Sequence, residues 1–248
     1  MRILPLTLLI AAAMLIPATV SNVVIACGCL DGILIGSDSL SVSGSLVGSR
    51  VAESVFPLGA NTVICCAAGH SDFHRLISDL KGYIRSANTS GGGSLKSSSI
   101  ARHARQLMNQ KYRNTHVIIA GYCGVKSKKH ANGGENNSGS SKDDVINNSS
   151  CDTSIREEDD HQFGIHEILS GGTLISQSYA LAGSGSDCVI TLMDHIFSPF
   201  TGQLGGQRTV GNSVECLRRV LKASIAADPK SGSSPRIWVL NKHGLKLL

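Results

Sequence analysis

The apolar run Ile33-Leu34-Ile35 ends in Gly36-Ser37-Asp38, which delivers a carboxylate to the end of a strand. A carboxylate so placed can serve acid–base or charge-balancing chemistry, and it can equally cap a turn by accepting backbone N–H bonds. His70 and His74 are four residues apart and would share one helix face. The segment His70-Ser71-Asp72-Phe73-His74 lacks the glutamate that follows the first histidine in the HExxH zinc-peptidase pattern. The pair therefore reads as surface or helix-start histidines. Gly183-Ser184-Gly185-Ser186 has the glycine content of a phosphate loop, but no Lys-Ser/Thr follows it. It also fails the GxSxG nucleophile pattern, because Ser186 stands where the last glycine belongs. A tight turn entering a helix is the better reading.

Eight cysteines are the other chemically able group. Cys27 and Cys29 alternate along a strand-like run, so they point to one face and could meet a common partner. Cys65 and Cys66 are adjacent in the apolar run Thr62 to Ala68 and must point to opposite faces, as small hydrophobes usually do. No pair of CxxC motifs is present, so no zinc or other metal is expected. Reduced thiols in a cytosolic protein are the preferred reading. No cofactor motif is found.

The 248 residues can bury one sizeable core, with one or two domains. Aromatics make up only 4% of them, which predicts an aliphatic core and argues against base-stacking nucleic-acid surfaces. The net charge of +5 is scattered. Its densest group, Lys126, Lys128, Lys129 and His130, is offset by Glu157 to Asp160, so no nucleic-acid partner is expected. Met1-Arg2 precedes a nearly unbroken apolar run from Ile3 to Ile16. That run suits a signal-peptide core and is short for a membrane span, so no membrane partner is expected. A removable propeptide and a mis-assigned start are the alternatives for residues 1–21. Sequons at Asn88, Asn136, Asn147 and Asn148 would suit secretion, but all lie in Ser/Asn/Gly-rich segments where such triplets arise by composition.

These residues must be positioned by a recognisable order of elements. Residues 22–38 read as a hairpin, and Val51 to Leu58 with Thr62 to Ala68 as a second strand pair around Gly59-Ala60-Asn61. Phe73, Leu76, Ile77, Leu80, Tyr83 and Ile84 recur at helical spacing, with Ser71 as N-cap. Ala87 to Ser99 reads as a connector, Ile100 to Tyr112 as a helix and His116 to Tyr122 as a strand. Residues 124–162 are rich in Asn, Ser, Lys, Asp and Glu, and are predicted to be a disordered insertion. Phe163 to Leu169 and Thr173 to Leu181 form a hairpin around Gly171-Gly172. Helices follow at Asp187 to Phe197 and Asn212 to Ala227, then strands at Ile237 to Leu240 and Leu245 to Leu248. Helices in pairs between sheet segments argue for an α+β fold: two antiparallel sheets face to face with a helix layer outside each. Residues 22–248 are expected to form this domain.

The order resembles that of the N-terminal nucleophile hydrolases, and the motifs resemble those of 20S proteasome β subunits. Asp31-Gly32-Ile33-Leu34-Ile35-Gly36-Ser37-Asp38-Ser39 is similar to the family's DG-apolar-GADxR segment. Gly44-Ser45 through Ser49-Arg50, Cys65-Cys66-Ala67-Ala68-Gly69, Val117 to Tyr122, Ala182 to Ser186 and Asp228-Pro229-Lys230-Ser231-Gly232 resemble the stretches that follow. Gly183 to Asp194 and Cys65-Cys66 look most like the caspase-like β type. The resemblance implies the four-layer αββα sandwich and a place in stacked heptameric rings with other α and β subunits. It further implies polypeptide substrates reached through the complex, and residence in cytoplasm and nucleus.

In active members a threonine hydroxyl attacks the scissile carbonyl, with its own α-amine as base. A lysine and an aspartate balance charge, and a backbone N–H stabilises the oxyanion. Carried over by resemblance, Asp38 matches the first aspartate, Gly69 the oxyanion glycine, Ser184 the serine near the threonine, and Asp228 and Ser231 the late aspartate and serine. The nucleophile position is Asn22, whose amide cannot perform acyl transfer, and the lysine position is Ser54. Leu40 replaces an arginine that often follows the first aspartate. Loss of catalysis explains these changes jointly, and a structural ring subunit is expected. A threonine-type endopeptidase using Thr19, exposed by cleavage after Ala18, is the enzymatic alternative. Thr19 lies three residues too early, which reverses strand facing, and no lysine is supplied. A secreted glycoprotein is the third reading.

Overall fold

The computed structural model describes residues 22–43, 46–67, 70–89, 95–122, 163–197 and 208–248. Strands β1 (Val23–Cys29) and β2 (Gly32–Ser37) form an antiparallel hairpin, with Val24 opposite Ser37 and Cys29 opposite Gly32. Two further strands, β3 (Ser41–Ser43) and β4 (Leu46–Ser49), pair with each other and, among the described residues, with no other strand. Strands β5 (Val55–Pro57), β6 (Thr62–Cys66), β7 (Val117–Tyr122), β8 (Phe163–Ile168) and β9 (Leu174–Ser176) make one five-stranded sheet in chain order. Strand β10 (Tyr179–Gly183) crosses to the other sheet, whose order is β10-β1-β2-β11-β12, with β11 at Arg236–Asn241 and β12 at Gly244–Leu247.

Alternation along each strand builds three cores. Val24, Ala26, Ile33 and Ile35 meet Val63, Cys65, Ile118, Ala120 and Ile165 between the sheets. Ile64, Cys66, Val117 and Ile119 face away from that interior onto helices α1 (His70–Thr89) and α2 (Ser97–Gln110). Val23, Ile25 and Leu34 face the opposite way, onto α3 (Ile190–Phe197) and α4 (Val210–Ala227). The result is an αββα sandwich, as the element order implied. Both faces of each sheet are covered, which is why the central strands read as unbroken apolar runs. Cys65 and Cys66 point to opposite cores.

Several boundaries differ from the sequence reading. Only Val55–Pro57 of the run Val51 to Leu58 is strand, and the β3–β4 hairpin was not expected. Helix α1 continues through Thr89, and α2 begins at Ser97, so both ends of the supposed connector are helical. Ser97 is buried, which offsets the weak helix propensity of its serine-rich first turn. Ser71 is not an N-cap, because the helix already includes His70. The run Thr173 to Leu181 is two strands in different sheets, parted at Gln177-Ser178. Residues 1–21 and the expected insertion at 124–162 lie outside the described residues. The strands that bracket the insertion are antiparallel neighbours, with Tyr122 opposite Phe163 and their rings 5.0 Å apart.

Candidate functional site at the head of the first strand

Asn22 stands immediately before β1 with a φ of 115°, a left-handed conformation that asparagine tolerates better than most residues. It is buried, and its Nδ2 donates to Ser54 Oγ at 3.3 Å, also buried. Ser54 precedes β5, so this bond joins one sheet to the other across the mouth of the sandwich. The resemblance assigned these two positions to a nucleophile and a lysine. The two side chains that meet here are an amide and a hydroxyl, and neither carries charge at neutral pH.

Asp38 follows β2 and is fully buried. Its Oδ1 accepts from Val23 N at 3.1 Å and its Oδ2 from Gly232 N at 2.9 Å. The carboxylate thereby clamps the start of β1 to the loop that follows α4. Burial pushes its pKa up to about 6; the nearby Asp228 adds to the rise, and the backbone N–H bonds oppose it. Desolvation dominates because two neutral N–H donors only partly replace water around a buried charge.

Asp228 caps the C-terminus of α4. Ser184 Oγ and Ser231 Oγ both donate to its Oδ2, the latter at 2.9 Å, and Lys230 N donates to Oδ1 at 2.9 Å. Burial alone would raise its pKa, but these bonds and the Lys230 charge outweigh it and hold the carboxyl below its ordinary value. Ser224, one turn earlier on α4, donates to Gly185 O at 2.9 Å. The turn Gly183 to Ser186 is thus fastened to α4 at two points, and Ser186 Oγ closes it onto Gly183 O at 2.6 Å.

Gly183 completes the approach. Its φ is 109°, and a Cβ there would lie 1.7 Å from Asn22 O and 3.0 Å from the Ala67 Cβ. The end of β10, the residue before β1 and the residue after β6 therefore converge at one point. Asn22, Asp38, Ser54, Ser184, Asp228 and Ser231 all belong to this linked cluster. Gly69 and Thr19 lie outside the described residues. Two residues were not singled out from the sequence. Ser224 carries the signal of a serine four before a C-capping aspartate. Ser37 Oγ is buried without a hydrogen-bond partner among the described residues, and no sequence signal marks it.

Asp38 spends its oxygens on two backbone N–H groups, and Asp228 spends its own on one backbone N–H and two serine hydroxyls, so both carboxylates position chain segments around the head of β1. His74 is exposed and packs edge-on against Phe56 at 5.6 Å. Among the described residues no group of three His, Cys, Asp or Glu side chains is placed to hold a metal ion.

Residues 20–131 match the family model described as "Proteasome subunit". "Proteasome subunit beta type-6" of Dictyostelium discoideum is 22% identical over 215 residues, covering 87% of this chain and 82% of its own. "Probable proteasome subunit beta type-1" of Schizosaccharomyces pombe is 23% identical, covering 87% of this chain and 78% of its own. "Proteasome subunit beta type-1" of Saccharomyces cerevisiae is 22% identical, with coverage of 88% and 82%. The family match spans the Asn22–Asp38–Ser54 cluster, and it and the relatives together make the chain similar to β-type proteasome subunits.

Proposed function

We propose that this chain is a non-catalytic β-type subunit of the 20S proteasome core particle. It occupies one place in a heptameric ring and contributes to intracellular protein degradation through partners that carry the peptidase activity. The observation that carries this reading is the Asn22–Ser54 hydrogen bond. It joins the two positions that the resemblance assigns to nucleophile and lysine by a neutral amide and hydroxyl. The supporting carboxylates are engaged as well, Asp38 by two backbone N–H groups and Asp228 by one backbone N–H and two serine hydroxyls. The chain keeps the architecture around the site and lacks the groups that react. Other α and β subunits are its partners, and cytoplasm and nucleus are its locations. The exposed face of α2, with Arg102 and Arg105, offers a basic surface to a neighbouring subunit.

The test is labelling of the native particle with a peptide epoxyketone, which needs the hydroxyl and free amine of one N-terminal residue. Catalytic neighbours are expected to be labelled and this chain to remain unmodified. Mass spectrometry that finds an adduct on Thr19, or on any other residue of this chain, overturns the reading.

A further inference from the structure

Cys27 and Cys29 share the helix-side face of β1, with Gly28 between them. Both are free thiols. As small core hydrophobes they would need nothing polar nearby, yet Arg208 is buried against them. Its Nη1 donates to Gly28 O at 3.3 Å, the carbonyl between the two cysteines. Its own carbonyl accepts from Leu30 N at 2.7 Å, which fixes the arginine at the end of β1. The guanidinium lies 5.7 Å over the Phe197 ring, is only 6% exposed, and leaves Nε without a hydrogen-bond partner. It forms no ion pair among the described residues. A buried cation lacking an anion is costly, and a thiolate alongside would offset that cost.

The two thiols are not equivalent. Cys27 is fully buried, whereas Cys29 is 7% exposed beside the turn at Leu30, which is itself 63% exposed. A hydrogen bond from Cys27 lowers the Cys29 pKa despite burial, helped by Ser213 and Arg208. Burial pushes the Cys27 thiol up.

We infer that Cys27 and Cys29 form a dithiol oxidation site that hydrogen peroxide converts to an intrastrand disulfide. The Cys29 thiolate attacks one peroxide oxygen, the O–O bond breaks, and hydroxide leaves, giving a sulfenic acid. The Cys27 sulfur then attacks the Cys29 sulfur, the S–O bond breaks, and the departing hydroxide takes the Cys27 proton as water. Two electrons pass from the dithiol to the peroxide, and the proton balance closes with two waters. Alternate residues of a strand are roughly 6.6 Å apart at their Cα atoms and about as far at their Cβ atoms, wider than the Cβ spacing of a disulfide, so closure requires the backbone to bend at Gly28. The intervening glycine allows the strand to pucker, and the strained product is readily reduced by a thiol. Closure pulls on Gly28, whose N–H holds Ser178 O at 2.8 Å and so helps keep β10 against β1.

The inference is independent of whether the chain is catalytic. The test treats the full chain in its native particle with hydrogen peroxide, blocks free thiols under denaturing conditions, and maps the peptides by mass spectrometry. The expected result is loss of two hydrogens within the Cys27–Cys29 peptide, reversed by dithiothreitol. It should form about tenfold faster than any change at the buried pair Cys65 and Cys66. Cys27→Ala should stop at a dimedone-trappable sulfenic acid on Cys29, and Arg208→Gln should slow the wild-type reaction severalfold. The wild-type measurement stands even where a variant fails to fold. A native Cys27–Cys29 pair that stays reduced, or that reacts no faster than Cys65 and Cys66, overturns the proposal.

Discussion

A methyl group added at Gly183 would lie 1.7 Å from the Asn22 carbonyl oxygen, and the backbone there sits at a φ of 109°. The obstacle is backbone, not a flexible side-chain end, so no rotamer relieves it. Gly183→Ala should therefore destabilise the fold by more than about 3 kcal/mol, measured by urea unfolding; a cost below about 1 kcal/mol would mean that β10 can shift away from β1. Asp38 gives a second prediction, with an unusual sign. Its native pKa of about 6 lies above the usual value for an unfolded aspartate. Between those values the folded state holds the proton more tightly, so this residue's contribution to stability grows as pH falls from 7. Asp38→Asn removes the titration and leaves an NH2 facing a backbone N–H. The stability gap between wild type and variant should widen by about 1 kcal/mol from pH 7 to pH 5; a gap that stays flat or narrows sinks the assignment. Asp228, held below its ordinary value, titrates beneath this window. At this scale Asp38 was legible from the apolar run that ends in Gly36-Ser37-Asp38, and Asp228 only through the family resemblance. The Asn22–Ser54 bond was not, since 32 residues separate the partners and only the meeting of two sheets joins them.

At the scale of elements, β7 and β8 remain paired to their last residues, with Tyr122 opposite Phe163. The chain between them therefore leaves and re-enters at one point. Replacing residues 124–162 by Asn-Gly leaves the three-residue loop Cys123-Asn-Gly between Tyr122 and Phe163, a length that closes an antiparallel hairpin. The expected change in Tm is within about 3 °C, read by calorimetry. A larger drop would show that the segment packs on the sandwich. Strand and helix existence was legible wherever burial on both faces left long apolar runs or a clear helical period. The errors cluster where that signal fails. The serines at the start of α2 look like linker; of them Ser97 is buried, and its Oγ reaches His166 Nε2 at 3.3 Å, sixty-nine residues away. The break at Gln177-Ser178 is likewise invisible locally, because β9 and β10 are both plausible strands and only their partners differ.

At the scale of the whole molecule, the sandwich covers its sheets with helices on both outer faces. What remains for assembly is the exterior: the basic face of α2, the β3–β4 hairpin with Val47 and nearby Val51 exposed, and the terminal strand with Leu247 and Leu248 exposed. Individually these are small, and single exposed apolar residues are ordinary on a soluble surface. The proposed non-catalytic role makes a stronger demand, since on that reading the chain contributes only through its contacts. The chain should therefore migrate on gel filtration of native lysate with a large particle containing other α- and β-type subunits, with little recovered at monomer size. A charge-reversing pair, Arg102→Glu with Arg105→Glu, lies on exposed helix surface and should leave the isolated fold's unfolding curve within about 0.5 kcal/mol of wild type. If the α2 face meets a neighbour, the same pair should shift a measurable share of the chain out of the particle fraction. Full incorporation of that variant would remove α2 from the interface, and recovery of the wild-type chain as a stable monomer without such partners would overturn the ring-subunit reading itself.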